Sequence, residues 1–234
     1  MYQGRTIRAP FFEIGPKAYL YGAEALKLAE AAQEASREYG VTVLFTPQLT
    51  DIWPIAQACG ELLVCAPHMD GIPVGRGVGL VLPEAVKAAG AAAVMLNHAE
   101  RPVTYGTLRE TIRRADEVGL LSVVCADSIA ETKAITLLKP NVVVAEPSEL
   151  IGTGAGSDMA YVEASIAAVK SVDPEVLVLQ GAGIHNAQDV YDVILAGADA
   201  TGSSSGIAKA ADPCGMARDM IKAVRQAWDR RHLA

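Results

Sequence analysis

No uncharged apolar stretch in this chain reaches the roughly 18 to 20 residues that a membrane-crossing helix requires, so no bilayer segment is expected. A basic excess is missing as well. Lys and Arg number 20 against 27 Asp and Glu, a formal net charge of −7. A surface of that sign argues against nucleic acid or an anionic membrane as partner, and any bound anion must be held by local dipoles. Cysteine is sparse: Cys59, Cys65, Cys125 and Cys214 show no CxxC spacing, and three lie in or beside apolar runs. Such thiols read as reduced and buried in a cytoplasmic protein, not as disulfides or a metal site. The opening "MYQGRTIRAPFFEIGPK" has no long apolar segment of the signal-peptide kind. No GxGxxG fingerprint follows the first apolar run, and no tract rich in Pro, Ser or charge divides the 234 residues.

What is present is a regular beat. Hydrophobic residues make up 51% and charged residues 20%, an ordinary balance for a compact protein. Eight short runs read as strands: "TIRAPFFEI", "VTVLFTP", "LLVCAPH", "AAVMLNH", "LLSVVCAD", "NVVVAEP", "VLVLQGA" and "ADATGSS". Six lack period-two alternation, as expected of strands covered on both faces; the first and last fit less well. Helical patterns separate them. Gly40, Gly90, Gly119 and Gly197 each stand just past such a pattern, where a helix-ending glycine belongs. Thr107 and Glu110 have capping-box spacing. Eight βα units averaging about 29 residues predict a single (β/α)₈ barrel spanning residues 1–234; an open doubly wound sheet is the alternative.

In such a barrel the chemistry sits at the C-terminal ends of the strands. Three charged or titratable groups fall there: Lys17 after the first run, His98 ending the fourth and Glu146 ending the sixth. Glycine-rich turns follow the last three runs, "IGTGAGS", "GAGI" and "GSSSG". Exposed backbone amides and a helix N-terminus there can cradle a phosphate. A carboxylate at the end of a dry strand can take a proton from carbon beside a carbonyl. An imidazole can polarise that carbonyl, and a lysine can offset the charge that develops. A loop closing over them would exclude water. These parts suit an aldose–ketose isomerase of a small phosphorylated sugar working without metal or organic cofactor.

The segments "VAEPSELIGTG", "LNHAERP", "VVCADS", "GAGI" and "TGSSSG", in that order and spacing, resemble the triosephosphate isomerase family, especially its shorter archaeal-type branch. The resemblance runs essentially end to end. It implies Glu146 as base, His98 as electrophile and Lys17 as substrate-binding cation. It implies phosphate or substrate contacts at Gly15, Ile151, Gly152, Thr153, Gly181, Gly183, Gly202 and Ser203, with Glu100 and Cys125 in structural support. It also implies a homodimer or homotetramer, since "MDGIPVGRGVG" resembles the family's intersubunit loop.

Three positions depart from the family pattern. Gly15 stands where an asparagine is usual, Ala99 where a serine is usual, and Val78 where a threonine normally reaches the neighbouring subunit. A glycine at position 15 should free space beside the substrate and remove a donor. That suggests a sugar one carbon longer, a tetrulose phosphate such as erythrulose phosphate, as an alternative substrate. A sugar-phosphate-binding protein without turnover is a further alternative. A Schiff-base aldolase would want a lysine on the sixth strand, which "NVVVAEP" lacks. Several residues carry bland readings beside these. Glu13 either faces the pocket or pairs with a nearby cation. His68 and Asp70 form a loop hydrogen bond ahead of a metal pair. Met95 and Met159 are packing residues, Asp116 and Glu163 are helix-surface charges, and "RQAWDRRHLA" is a basic helix end favourable to the dipole.

Overall fold

The computed structural model describes residues 6–148 and 158–233. Eight strands close into one barrel in chain order: β1 Phe11–Ile14, β2 Thr42–Phe45, β3 Leu63–Ala66, β4 Ala93–Leu96, β5 Leu121–Ala126, β6 Val142–Ala145, β7 Leu177–Gln180 and β8 Ala200–Ser203. Every neighbouring pair is parallel, and β8 returns to β1 with Glu13 opposite Gly202. The main helices outside are α1 Ala23–Tyr39, α2 Ile52–Ala58, α3 Pro83–Ala88, α4 Tyr105–Val118, α5 Ile129–Thr136, α6 Met159–Val172 and α7 Ala187–Leu195. A one-turn α8, Ser205–Ala208, and the long α9, Pro213–His232, complete the ring. The expected (β/α)₈ barrel is therefore the observed fold, and each strand lies inside its predicted run. Among the described residues no helix is long and apolar enough to cross a membrane.

Strand parity separates two packed layers. Phe11, Leu44, Cys65, Ala93, Val123, Val142, Val144, Leu179 and Ala200 fill the barrel interior. Phe12, Ile14, Val43, Val64, Val94, Val143 and Val178 turn outward and pack with the helices. Both faces of each strand are thus dry, which is why the runs read as continuous apolar stretches. Parity also selects what reaches the mouth. Phe11, Glu13 and Gly15 share the inward face of β1 and its extension, as Val142, Val144 and Glu146 do for β6.

The helix ends follow the glycines. Gly40 and Gly119 close α1 and α4 in the left-handed conformation, at φ 63° and 74°. Gly90 and Gly197 also take positive φ, at 100° and 118°. The start of α4 differs from the reading of Thr107 as cap. Thr104 caps the helix by accepting from the Thr107 amide, and Glu110 instead pairs with Arg113. All four cysteines are free thiols, three of them buried. The basic end of α9 does more than complement a dipole, because Arg231 donates to the carbonyls of Ile194 and Ala198 and so ties α9 to the end of α7. Met95 packs against the barrel interior as expected and also lines the central cleft, whereas Met159 is exposed at the start of its helix. Asp116 is half-buried beside a cavity at the N-terminal end of the barrel, and burial raises its pKa.

Candidate active site

A cleft of about 230 Å³ opens at the C-terminal mouth, and Glu13, Gly15, Lys17, His98, Glu146 and Ser204 are among its walls. It brings together the carboxylate, imidazole and ammonium singled out from the strand ends. Glu146 enters directly from β6, where its amide bonds to Ala126 O and continues the ladder. Gly181, at the end of β7, makes room for it. A Cβ there would lie 2.9 Å from Val144 Cγ1 and 3.2 Å from the Glu146 side chain. Burial raises the Glu146 pKa against the opposing charge of Lys17.

His98 follows a break in β4. Asn97 takes φ 58°, which ends the strand's alternation. Its side chain donates to Cys125 O and Glu131 and accepts from the Val103 amide, holding that conformation. The imidazole that follows turns into the cleft, with Nε2 3.5 Å from Glu146 Oε2. Its Nδ1 accepts a 3.1 Å hydrogen bond from the Glu100 amide. That bond requires an unprotonated Nδ1 and leaves the proton of the neutral ring on Nε2. Burial, with Lys17 nearby, lowers the His98 pKa and favours this neutral form.

Lys17 also sits in an uncommon backbone conformation, φ 49°. Gln48 Nε2 donates to its carbonyl at 2.7 Å, and Lys17 Nζ pairs with Glu100 Oε1 at 2.8 Å. Desolvation opposes the charge, yet the Glu100 hydrogen bond and the charges of Glu100, Glu146 and Glu13 outweigh it and raise the lysine pKa. Glu100 thereby orients the lysine through its side chain and the histidine through its amide.

Glu13 faces the cleft, and among the described residues it forms no ion pair. Thr46 Oγ1 donates to its Oε1 at 2.6 Å, and burial lifts its pKa to about 7. The space expected from Gly15 is taken by this acid, since a Cβ at Gly15 would come within 2.9 Å of Glu13 Oε1. Gly202 serves the same seat from β8: its Cβ would meet Glu13 Oε2 at 2.8 Å.

A smaller cleft of about 80 Å³ adjoins the first at the rim, with Lys17, Gly183, His185, Ser203, Ser204 and Ser205 in its wall. Gly183 adopts φ 74°. Ser203 Oγ donates to Ile184 O at 2.8 Å, joining the turns after β7 and β8. Gly206 permits that junction, as a Cβ there would lie 2.6 Å from Ser203 Oγ. Ser204 Oγ is buried with no hydrogen-bond partner among the described residues. Ile151, Gly152 and Thr153 lie outside the described residues. Cys125 is buried on β5 behind Glu146, in a second polar cavity that Ala99 also lines. His68 and Asp70 sit 3.2 Å apart, and Asp70 also accepts from the Val81 amide, a loop brace. Thr46, Gln48, Asn97 and Ser204 were not picked out from sequence. For Thr46 the available signal was its position, a polar residue beside the proline that ends the second run.

A closed parallel barrel with a largely buried carboxylate facing an imidazole at its mouth has the architecture of a (β/α)₈ enzyme, and the pair is suited to proton transfer. A family model described as triosephosphate isomerase matches residues 14–220. The triosephosphate isomerase of Methanosarcina mazei is 36% identical over 221 residues, covering 92% of this chain and 99% of that protein. That of Sulfurisphaera tokodaii is 35% identical over 229 residues, covering 96% and 100% respectively. In fold, the crystal structure of triosephosphate isomerase from Bartonella henselae matches with a TM-score of 0.74 at 16% identity, over 94% of this chain and all of that one. The chain belongs to the triosephosphate isomerase family.

Proposed function

We propose that this protein interconverts glyceraldehyde 3-phosphate and dihydroxyacetone phosphate through an enediolate. The observation that carries the reading is the pairing of Glu146 with a histidine whose Nδ1 is occupied by a backbone amide. Glu146, ionised, takes a proton from the carbon beside the carbonyl. Nε2–H of His98 donates to the carbonyl oxygen as charge builds on it, and Lys17 offsets the negative charge of substrate and intermediate. The hydroxyl proton on the neighbouring oxygen passes to the former carbonyl oxygen by way of the His98 ring, and the proton on Glu146 returns to the adjacent carbon, so bonds and electrons balance with no external redox partner. Ser204 Oγ and the turns at Gly183 and Ser203 are the proposed phosphate seat, to which Ile151, Gly152 and Thr153 would add from the sixth loop.

A second reading keeps the chemistry and lengthens the sugar to a tetrulose phosphate. What favours it is the Glu13 carboxyl, which fills the space beside Gly15 and offers a polar contact at the cleft to an added hydroxyl. Self-association is part of the proposal: Val74 and Val78 stand exposed on the third loop, fully so for Val78, as apolar side chains suited to a second copy. Sedimentation would report the oligomer.

A coupled isomerase assay on wild type and Glu146→Ala, with glyceraldehyde 3-phosphate and erythrulose phosphate side by side, tests the function. Triose turnover lost in the variant by about a thousandfold supports the first reading. Tetrulose turnover with feeble triose activity supports the second. Inactivity on both sugars would leave a binding protein.

A further inference from the structure

The floor of the cleft carries an acid that the proton-transfer pair does not use. Glu13 points inward from β1, tied to Thr46 on β2 through Oε1. Glycines flank it on both sides, and neither Gly15 nor Gly202 leaves room for even a Cβ while the carboxyl is in place. Thr46 is its one hydrogen-bond donor among the described residues, and the carboxyl lines the same cleft as Glu146 and His98. The rim cleft with Ser204 shares walls with this one. A sugar anchored there by phosphate, with its reacting carbons at Glu146, must direct its other end toward the floor.

We propose that Glu13 is a specificity-determining contact, its carboxyl reading the oxygen at the end of the sugar away from the phosphate, the hydroxyl of a ketose or the carbonyl of an aldose. This rests on the sugar-phosphate isomerase reading above. A protonated carboxyl both donates to and accepts from a hydroxyl, whereas a carboxylate only accepts. Burial is the main influence toward its neutral form, the Thr46 hydrogen bond opposes it, and the charged groups facing it add smaller effects. Glu146 from β6 favours the neutral form and Lys17 opposes it. The buried thiols of Cys65 on β3 and Cys125 on β5 are pushed up and stay neutral. His98 shares the cleft and is held neutral.

The test measures kcat and KM separately for wild type, Glu13→Gln and Glu13→Ala, on glyceraldehyde 3-phosphate and erythrulose phosphate, from pH 5.5 to 8.5. The substrate phosphate titrates in the same range, so the readout is the difference between wild type and Glu13→Gln. The inference expects KM of wild type to rise several-fold relative to Glu13→Gln as pH passes about 7. It expects Glu13→Ala to raise KM about tenfold at pH 6, more for the sugar with the extra hydroxyl, while kcat changes less. Glutamine, which keeps a donor and an acceptor, should restore KM. Equal KM and an identical pH profile in wild type and Glu13→Gln would overturn the inference even if the alanine variant failed to fold. Wild type inactive on both sugars would instead bring down the isomerase reading, and this inference with it.

Discussion

The amide of Glu100 stands 3.1 Å from Nδ1 of His98, so one backbone hydrogen bond decides which face of the imidazole can donate. With Nδ1 occupied, the ring meets Glu146 and the cleft as a neutral Nε2–H donor. A consequence for pH follows. The imidazole resists protonation because burial and Lys17 both disfavour its cationic form. Glu146, the proposed base, has its pKa raised by burial and must be ionised to act. Acidification should therefore remove activity through Glu146. The acid limb of kcat/KM should lie above the range of an exposed glutamate, about 4.3, with one proton taken up per site. A pH–rate profile of the wild type checks this, and a flat profile down to that range would contradict it.

Gly181 gives a prediction about position rather than charge. Its absent Cβ leaves the space in which Glu146 and Val144 pack, at 3.2 Å and 2.9 Å from where that carbon would be. Gly181→Ala must push the base or the β6 wall by a few tenths of an ångström. Misplacement of that kind costs rate far more than fold, so kcat should fall by roughly 10- to 100-fold. KM for the sugar phosphate and the melting temperature should change little. A variant with unaltered kcat would show that Glu146 is free to adjust.

Glu13 links the site to stability. Its pKa rises from 4.5 to about 7 in the folded chain. A group raised on folding contributes fully below its unfolded pKa and loses that contribution as pH climbs through the folded one. Wild type should thus be relatively favoured below about pH 4.5 and penalised above about pH 7. Glu13→Gln has no proton to lose and still offers Thr46 an acceptor. It should exceed wild type by up to roughly 3 kcal/mol at pH 8, with the gap shrinking toward pH 5. Thermal melts at the two pH values measure this. No pH dependence in the gap would mean the carboxyl is not desolvated.

Much of this was open to reading from residues because the barrel forces apolar runs to end at its mouth. Glu146, His98 and Lys17 stood out as polar groups at the ends of dry strands, and the strand ladder places the first of them there directly. Glu13 was ambiguous because its role turns on parity: only the inward packing of Phe11 decides that the acid two residues later faces the cleft. The ties from Thr46 to Glu13 and from Gln48 to Lys17 span 33 and 31 residues. No local pattern announces such contacts. Asn97 hid for another reason. Its positive φ is a property of the backbone, and asparagine only permits it. The cap of α4 was misplaced by three residues because Thr104 and Thr107 offer the same chemistry, and only the hydrogen bond tells them apart.

Lys17 holds its conformation at a cost. A residue with a Cβ at φ 49° is disfavoured by about 1 kcal/mol relative to glycine. The ties that impose it are the Gln48 hydrogen bond to its carbonyl and the pair with Glu100. That pair is partly exposed and contributes little to stability by itself. Its value is to aim the ammonium into the cleft. Lys17→Ala and Lys17→Gly both lose the ammonium, but only alanine keeps the backbone penalty. Both variants should lose activity, while Lys17→Gly should unfold at higher denaturant than Lys17→Ala, by about 1 kcal/mol or some 2 to 4 °C in Tm. If the two melted together, the left-handed turn would carry no strain. If either kept wild-type turnover, the ammonium would have no part in holding the substrate.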